Sequence, residues 1–228
     1  MQCTAEIQIK EIISRMRVKN LAELEKILAQ KRNAPPCQKT IVAKAQSDGQ
    51  TIQQPSTPQM RILGLDVALR CTGWGIIDTR TNPFKQTAVD CGVIKNNDRQ
   101  AISDCLRHLT IGTRELIGLY KPDIAVLEGG FYCQNVHTAI SLGAARGAVI
   151  AMLAEAGIPI YEYAPRKVKQ AICGFGNASK PQVALLVSQV LHIQVDKISN
   201  DSTDALALAL THAQIMSVAN GLNAPSPI

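Results

Sequence analysis

RILGLDVALRCTGWGIIDT, residues 61–79, decides the fold. It opens with a compact apolar run that ends at Asp66, and this pattern predicts a buried central strand. TGWGIIDT at 72–79 and TAVDCGVIK at 87–95 predict a second and a third strand, joined by a turn at 81–83. The sheet is therefore expected to begin with three antiparallel neighbours.

Helical and extended patterns alternate after this meander. Apolar residues recur at helical spacing through 99–120, and DIAVLEGG at 123–130 predicts a short buried strand that ends at Glu128. A helix rich in small residues follows at 138–157, and IPIYEYA at 158–164 predicts the fifth strand. Three further helices are predicted at 165–174, 179–191 and 201–216. Together these elements predict an α/β domain with a mixed five-stranded sheet flanked by helices.

Composition divides the chain into four segments. Two short amphipathic patterns predict a helical hairpin extension at 1–32, and 33–59 is a flexible linker rich in Gln, Pro, Ser and Thr. The α/β domain spans 60–217, and 218–228 is a flexible tail. The hairpin is either a packing or dimerisation element or an accessory DNA-binding element, and the sequence leaves both open.

The charge balance points to an acidic partner. The net charge is +6, and residues 1–59 hold nine Lys and Arg against five Asp and Glu. A basic protein favours nucleic acid or an anionic membrane surface as its partner. No apolar run reaches the length of a membrane span and no secretory signal pattern is present, so we expect no membrane contact.

The seven cysteines indicate reduced thiols. Their number is odd and none is spaced as CxxC, which argues against both a zinc site and a disulfide framework. We therefore expect a cytoplasmic protein.

Four acidic residues stand out by their surroundings. Asp66 and Glu128 each follow an apolar run where a strand ends, and charges are rarely buried there unless they are paired or bind metal. Asp201 and Asp204 share one face in the first turn of the last helix, where carboxylates also suit the helix N-terminus. If all four converge, their oxygens select Mg²⁺ or Mn²⁺, and two such ions hydrolyse phosphodiesters.

Five strings carry a resemblance to a known family. They are ILGLD…TGWGII, IAVLEGGFY, SLGAARGAVIA, YEYAPRKVKQAICGFGNASKPQV and DSTDALALALTH. In this order and spacing, the chain from Arg61 to about Ala213 resembles the RuvC family of Holliday junction resolvases. The resemblance implies an RNase H-like fold, a homodimer, and Mg²⁺- or Mn²⁺-dependent paired symmetric nicks in four-way DNA junctions. It also implies that Asp66, Glu128, Asp201 and Asp204 are the catalytic, metal-binding carboxylates.

Further site residues follow from the resemblance one at a time. Lys169 and Lys180 match lysines near the scissile phosphate, with phosphate binding without catalysis, or a solvated face, as the alternatives. Phe131 matches an aromatic that wedges against unpaired bases, with a core position as the alternative. The remaining expected DNA contacts are the polar residues Asn135 and Thr72 and the basic residues Arg166 and Lys167.

The chain departs from the family pattern at two places. Val67-Ala68 replaces the usual Pro-Gly after the first Asp, and Gly129-Gly130 and Gln134 differ from common members. The first departure leaves the geometry of the turn beside Asp66 open, and the second leaves the preferred cleavage sequence open. His212 is expected to be structural or on the surface, and Trp74 to lie in the core.

Parts of this pattern also occur in proteins with other functions. An actin-like kinase half would open with a similar strand, Asp and Thr-Gly turn, but it needs a second lobe and an adenosine-binding glycine motif. A non-enzymatic branched-DNA-binding module would not need all four acids. Within the resolvase class, a phage-like enzyme would accept broader branched DNA, and a branch-migration complex is a possible partner at the nucleoid.

Overall fold

The computed structural model describes residues 59–228 apart from 82–83, 130–134, 195–196 and 219–224. The predicted hairpin at 1–32 therefore lies outside the described residues, as does the predicted linker up to residue 58. Gln59, which the sequence analysis assigned to the linker, is instead the first residue of strand β1.

Five strands form one mixed sheet, as predicted. Their order across the sheet is β3-β2-β1-β4-β5; β1, β2 and β3 pair antiparallel, and β4 pairs parallel with both β1 and β5. The strands are β1 (Gln59–Asp66), β2 (Cys71–Thr81), β3 (Phe84–Lys95), β4 (Ile124–Glu128) and β5 (Ile160–Tyr163). The apolar run of β1 thus lies at the centre, as its sequence predicted.

Five helices follow the predicted order in the described part of the chain. They are α1 (Ile102–Tyr120), α2 (Val136–Glu155), α3 (Pro165–Cys173), α4 (Lys180–Leu191) and α5 (Asn200–Val218). Helix α1 is capped at its C-terminus by Lys121, whose φ of 48° lies in the left-handed region. Helix α4 begins after Ser179, where the Gln182 side chain accepts a hydrogen bond from the Ser179 backbone N–H at 2.8 Å.

Each face of the sheet has its own core. Alternate residues of a strand point to opposite faces, so Ile62 and Val126 pack with α3, α4 and α5, whereas Leu63 and Leu65 pack with α1 and α2. Helix α5 is buried on all its sides from Ala205 to Ala213. It lies on β1 and β2, which is why its sequence is apolar without a polar stripe.

Two expectations need correction. Residues 225–228 are not wholly loose, since the backbone N–H of Ile228 donates to the carbonyl oxygen of Ile160 at 2.9 Å, on a strand at the sheet's edge. Helix α2 has the length and composition of a membrane span, with a mean hydropathy of 1.4. Its Val149 and Leu153 nevertheless pack into the domain core.

Candidate active site

Two of the acids lie side by side where neighbouring strands end. Leu65 of β1 pairs with Leu127 of β4 in parallel register, so Asp66 and Glu128 are the next residues on adjacent strands. Parallel strands lie about 4.8 Å apart. By strand alternation both side chains point to the face covered by α5, and both are half-buried.

Glycines bring the other two acids to the same place. A Cβ added at Gly73 would lie 2.0 Å from the Asp201 carbonyl oxygen, and one at Gly64 would lie 1.9 Å from that of Ala205. Gly73 pairs directly with Asp66 across the β1–β2 ladder. Only residues without a side chain let the first turns of α5 approach the sheet so closely. That approach carries Asp201 and Asp204 to Asp66.

The electrostatics confirm that the four carboxylates are neighbours. Burial, followed by the charges of Asp204, Glu128 and Asp201, raises the pKa of Asp66 to about 6. Burial and then the charge of Asp204 raise the pKa of Glu128. Crowded carboxylates resist ionising together unless a cation neutralises them. The structure therefore brings together the four acids that the sequence singled out.

The donor set fits a hard divalent cation. Carboxylate oxygens are the ligands that Mg²⁺ and Mn²⁺ prefer. Among the described residues, however, no group of three or more Asp, Glu, His or Cys side chains is arranged to hold a metal ion as it stands.

The two predicted catalytic lysines differ in placement. Lys180, the first residue of α4, places its Nζ 3.0 Å from Oδ2 of Asp204, and its side chain is 79% exposed. The hydrogen bond and charge of Asp204 raise the pKa of Lys180. Lys169 is half-buried on α3, and no hydrogen bond or ion pair in the described residues joins it to the acids.

Cys71 is a neighbour of the cluster that the sequence analysis missed. Its thiol donates to Oδ2 of Asp201 at 2.9 Å. Burial and then this hydrogen bond raise the pKa of Cys71 to about 11, so the thiol is neutral. A signal was present, because Cys71 lies two residues before Gly73 and strand alternation points both to α5.

Thr72 has a different role from the one expected. Its side chain is fully buried, and its hydroxyl donates to the Ala68 carbonyl at 2.7 Å and accepts from the Ala68 N–H at 3.2 Å. With no exposed surface it cannot contact DNA, so this expectation is wrong. Thr72 instead closes the turn in which Val67-Ala68 replaces Pro-Gly.

Three other expected DNA contacts are exposed. Asn135 is exposed and caps α2, its side-chain oxygen accepting from the His137 N–H at 2.9 Å. Arg166 and Lys167 are exposed at the start of α3, and the Arg166 side chain lies over Gly176. The expected wedge residue at position 131 lies outside the described residues.

Two aromatic expectations concern the core. His212 is fully buried on α5, and its Nδ1 lies 2.9 Å from the Tyr163 hydroxyl, so it is structural. Trp74 is partly buried and packs against the core formed with α1 and α2.

Known proteins resemble this chain over the domain that carries the site. A family model described as Crossover junction endodeoxyribonuclease RuvC matches residues 62–212. The protein of that description from Protochlamydia amoebophila is 40% identical over 159 residues, which cover 69% of this chain and 92% of that protein. The one from Roseiflexus sp. is 38% identical over 152 residues, which cover 67% of this chain and 89% of that protein.

Solved structures agree in fold. The Thermus thermophilus RuvC structure has a TM-score of 0.66 and 28% identity, and it covers 74% of this chain and 100% of that one. T. thermophilus RuvC in complex with a Holliday junction substrate has a TM-score of 0.65 and 26% identity, with the same coverage.

Proposed function

The chain belongs to the RuvC family of crossover junction endodeoxyribonucleases, and from that membership we propose the roles of its residues in cutting a four-way DNA junction. It is a Holliday junction resolvase, a metal-dependent nuclease with an RNase H-like fold. The proposal concerns which side chains hold the metal, which hold DNA, and how two copies assemble.

Asp66, Glu128, Asp201 and Asp204 would hold Mg²⁺, with Mn²⁺ as a substitute. Their mutual crowding, seen in the raised pKa of Asp66, is the observation that carries this assignment. When bound, such ions activate a water for in-line attack and neutralise charge on the phosphate. Asp66 is central to the set, because the charges of the other three all act on it. Cleavage would leave 5′-phosphate and 3′-hydroxyl ends.

Lysines on α3 and α4 would hold the phosphate that is cut. The exposed ammonium of Lys180 already lies beside Asp204, within reach of a phosphate at the cluster. An ammonium there stabilises the negative charge that develops on the phosphate. Lys169 would act beside it, and Arg166 and Lys167 would hold flanking phosphates.

Contacts with bases and sugars would come from the loop between β4 and α2. Phe131 would wedge against unpaired bases at the junction. Asn135 is exposed at the end of this loop, so it can contact DNA while its side-chain oxygen caps α2.

A homodimer would supply the paired symmetric nicks. The first half of α2 exposes Val136 at 73% and Ile140 at 66%. A Cβ added at Gly143 or Gly147 would meet no atom within 4 Å, so a second helix could pack closely here. A C₂ interface through α2 would place two active sites on one junction.

Sedimentation equilibrium tests the dimer. Ile140→Glu should convert a dimer to a monomer. Leu119→Glu, at an equally exposed apolar residue on α1, should leave the mass unchanged. An Ile140→Glu protein that remains dimeric would place the interface elsewhere.

The nuclease assignment is tested with a labelled mobile four-way junction and a matched linear duplex, each with and without Mg²⁺. The wild type should nick only the junction, symmetrically, and only with Mg²⁺. Asp66→Asn should bind the junction without nicking it, whereas the exposed control Asp98→Asn should nick normally. Undiminished nicking by Asp66→Asn would refute the assignment.

Junction resolution would place the protein in the cytoplasm with the nucleoid. A branch-migration complex is the expected partner, because moving the junction brings new sequences to the site. Nicks on a mobile junction that shift in position when a branch-migration motor is added would support this partnership.

A further inference from the structure

A partly buried ion pair lies behind Glu128, on the opposite face of the sheet from the acids. Arg146 of α2 donates from Nη1 to the backbone carbonyl oxygen of Glu128 and from Nη2 to the carboxylate of Glu162 on β5. The side chain of Arg146 is only 14% exposed and that of Glu162 only 27%. One guanidinium thus joins α2, β4 and β5 at the end of the strand that carries Glu128.

Strand register explains why the pair and the active site face opposite ways. Glu162 pairs with Leu127, and Leu127 packs into the core shared with α1 and α2. Alternation therefore points the Glu162 side chain toward α2 and the Glu128 side chain toward α5. Arg146 consequently contacts Glu128 only through its backbone.

The same pair also packs against the residue after Glu128. The Gly129 N–H donates to the Tyr163 carbonyl at 2.9 Å. A Cβ at Gly129 would lie 3.1 Å from Cβ and 3.3 Å from Oε2 of Glu162. The peptide between Glu128 and Gly129 is therefore held from two sides. The Arg146 guanidinium binds its carbonyl oxygen, and the Glu162 side chain lies beside Gly129.

A partly buried ion pair is weak evidence of a gain in stability. The free energy lost when two charges leave water can exceed their mutual attraction, unless the geometry is good and both partners are hydrogen-bonded. Arginine suits two separate acceptors because its planar guanidinium presents several donors in a fixed arrangement, which the single ammonium of lysine does not. The geometry here lets one side chain fix two neighbouring strand ends.

We propose that Arg146 and Glu162 form a positioning pair that fixes the Glu128–Gly129 peptide, so that the Glu128 carboxylate faces Asp66 and Asp204. This inference rests on the proposed function for the role of Glu128 as a ligand. Rotation of that peptide would turn the carboxylate away from the cluster. The pair lies on the face of the sheet away from the four acids.

The test uses conservative variants and a matched exposed pair. Arg146→Lys keeps the positive charge but removes the planar guanidinium that reaches both acceptors. Glu162→Gln keeps the shape of the side chain but removes its negative charge. Arg107→Lys on α1 and Glu155→Gln at the end of α2 are the same substitutions at exposed positions. The measurements are Mn²⁺ affinity without DNA, read from free Mn²⁺ by electron paramagnetic resonance, together with junction affinity, kcat and KM for nicking, and Tm.

Arg146→Lys should weaken Mn²⁺ binding and lower kcat by roughly 10–100-fold each, as loss of a residue that orients a ligand does. Junction affinity and KM should stay within about twofold of wild type, because the pair lies on the face of the sheet away from the acids. The variant that combines Arg146→Lys with Glu162→Gln should lose no more Mn²⁺ affinity and kcat than Arg146→Lys alone, since each single change breaks the same contact. The exposed controls should match wild type throughout.

A lower Tm with unchanged Mn²⁺ affinity and unchanged kcat would show that the pair only stabilises the fold, and would overturn the proposal. If Arg146→Lys does not fold, Glu162→Gln carries the same test, because loss of the charge frees the guanidinium from β5. The Mn²⁺ measurement is independent of nicking. A wild type that binds Mn²⁺ without cutting junctions would count against the proposed function and leave the positioning role intact.

Discussion

Removing a catalytic acid should make the metal-free protein more stable. The pKa of Asp66 is raised from 3.8 to about 6, mainly by burial and then by Asp204 and Glu128. One pKa unit corresponds to about 1.4 kcal/mol, so the ionised carboxylate destabilises the fold by up to about 3 kcal/mol. Asparagine keeps the shape of Asp66 and cannot ionise.

The pH dependence of this effect follows from proton linkage. The folded-state pKa lies above the unfolded one, so between about pH 4 and pH 6 the native protein binds more protons than the unfolded chain. The contribution of Asp66 to the unfolding free energy of the wild type therefore falls as pH rises through this window. Asp66→Asn lacks that fall, so the two proteins should match near pH 4 and differ by about 2–3 kcal/mol at pH 7.5.

Urea unfolding in EDTA from pH 4 to pH 8 measures the difference, with the single tryptophan, Trp74, as the fluorescent probe. By thermal unfolding at pH 7.5, the gain corresponds to roughly 5–10 °C in Tm for a protein of this size. Asp98→Asn, at an exposed position, should not shift the curve. Added Mg²⁺ should stabilise the wild type more than Asp66→Asn. An Asp66→Asn protein that is no more stable than wild type at pH 7.5 would refute the reasoning.

Three further predictions follow from the surroundings of the site. Gly73→Ala places a Cβ 2.0 Å from the Asp201 carbonyl oxygen, so urea unfolding should show a loss of about 3 kcal/mol or more and Mg²⁺-dependent nicking should fail; Gly118→Ala, which meets no atom within 4 Å, should be neutral or stabilising. The pKa of about 11 at Cys71 predicts alkylation by iodoacetamide at pH 8 about 100-fold slower in native than in unfolded protein, read by peptide mass spectrometry; native and unfolded rates that are equal would contradict it. Burial lowers the pKa of His212 to about 4, so the stability that the neutral ring provides above pH 6.5 is lost as pH falls from about 6.5 to 4; this slope should be absent from His212→Asn in urea titrations, and its persistence would exclude His212 as the cause.

The sequence predicted most of the fold because each element carries its own pattern. The apolar runs before Asp66 and Glu128 predicted buried strands, and the helical spacing of the last segment predicted the helix that bears Asp201 and Asp204. A charged residue at the end of an apolar run is a local signal that needs no knowledge of contacts. For that reason the acids could be singled out before the structure placed them together.

The sequence could not predict contacts between residues that lie far apart along the chain. Strand alternation could have pointed Cys71 toward α5, but it does not name Asp201 as its partner. Nothing local marks Arg146 as a donor to the carbonyl of Glu128. Arg146 stood within a helix of small residues, where an arginine is expected on a solvated face. Thr72 was misassigned because family likeness gives a residue's position along the chain and says nothing of its burial.

The acids and the residues that hold them should respond in opposite ways to substitution. The carboxylates repel one another, so removing one, as in Asp66→Asn, relieves the fold while it ends catalysis. Gly73 and Arg146 hold strand ends and α5 in place, so changing either should weaken the fold and catalysis together. Among variants that no longer nick junctions, the sign of the stability change in EDTA therefore separates ligands from supports. An Asp204→Asn protein that is destabilised would show that its pairing with Lys180, rather than repulsion among the acids, dominates at that residue.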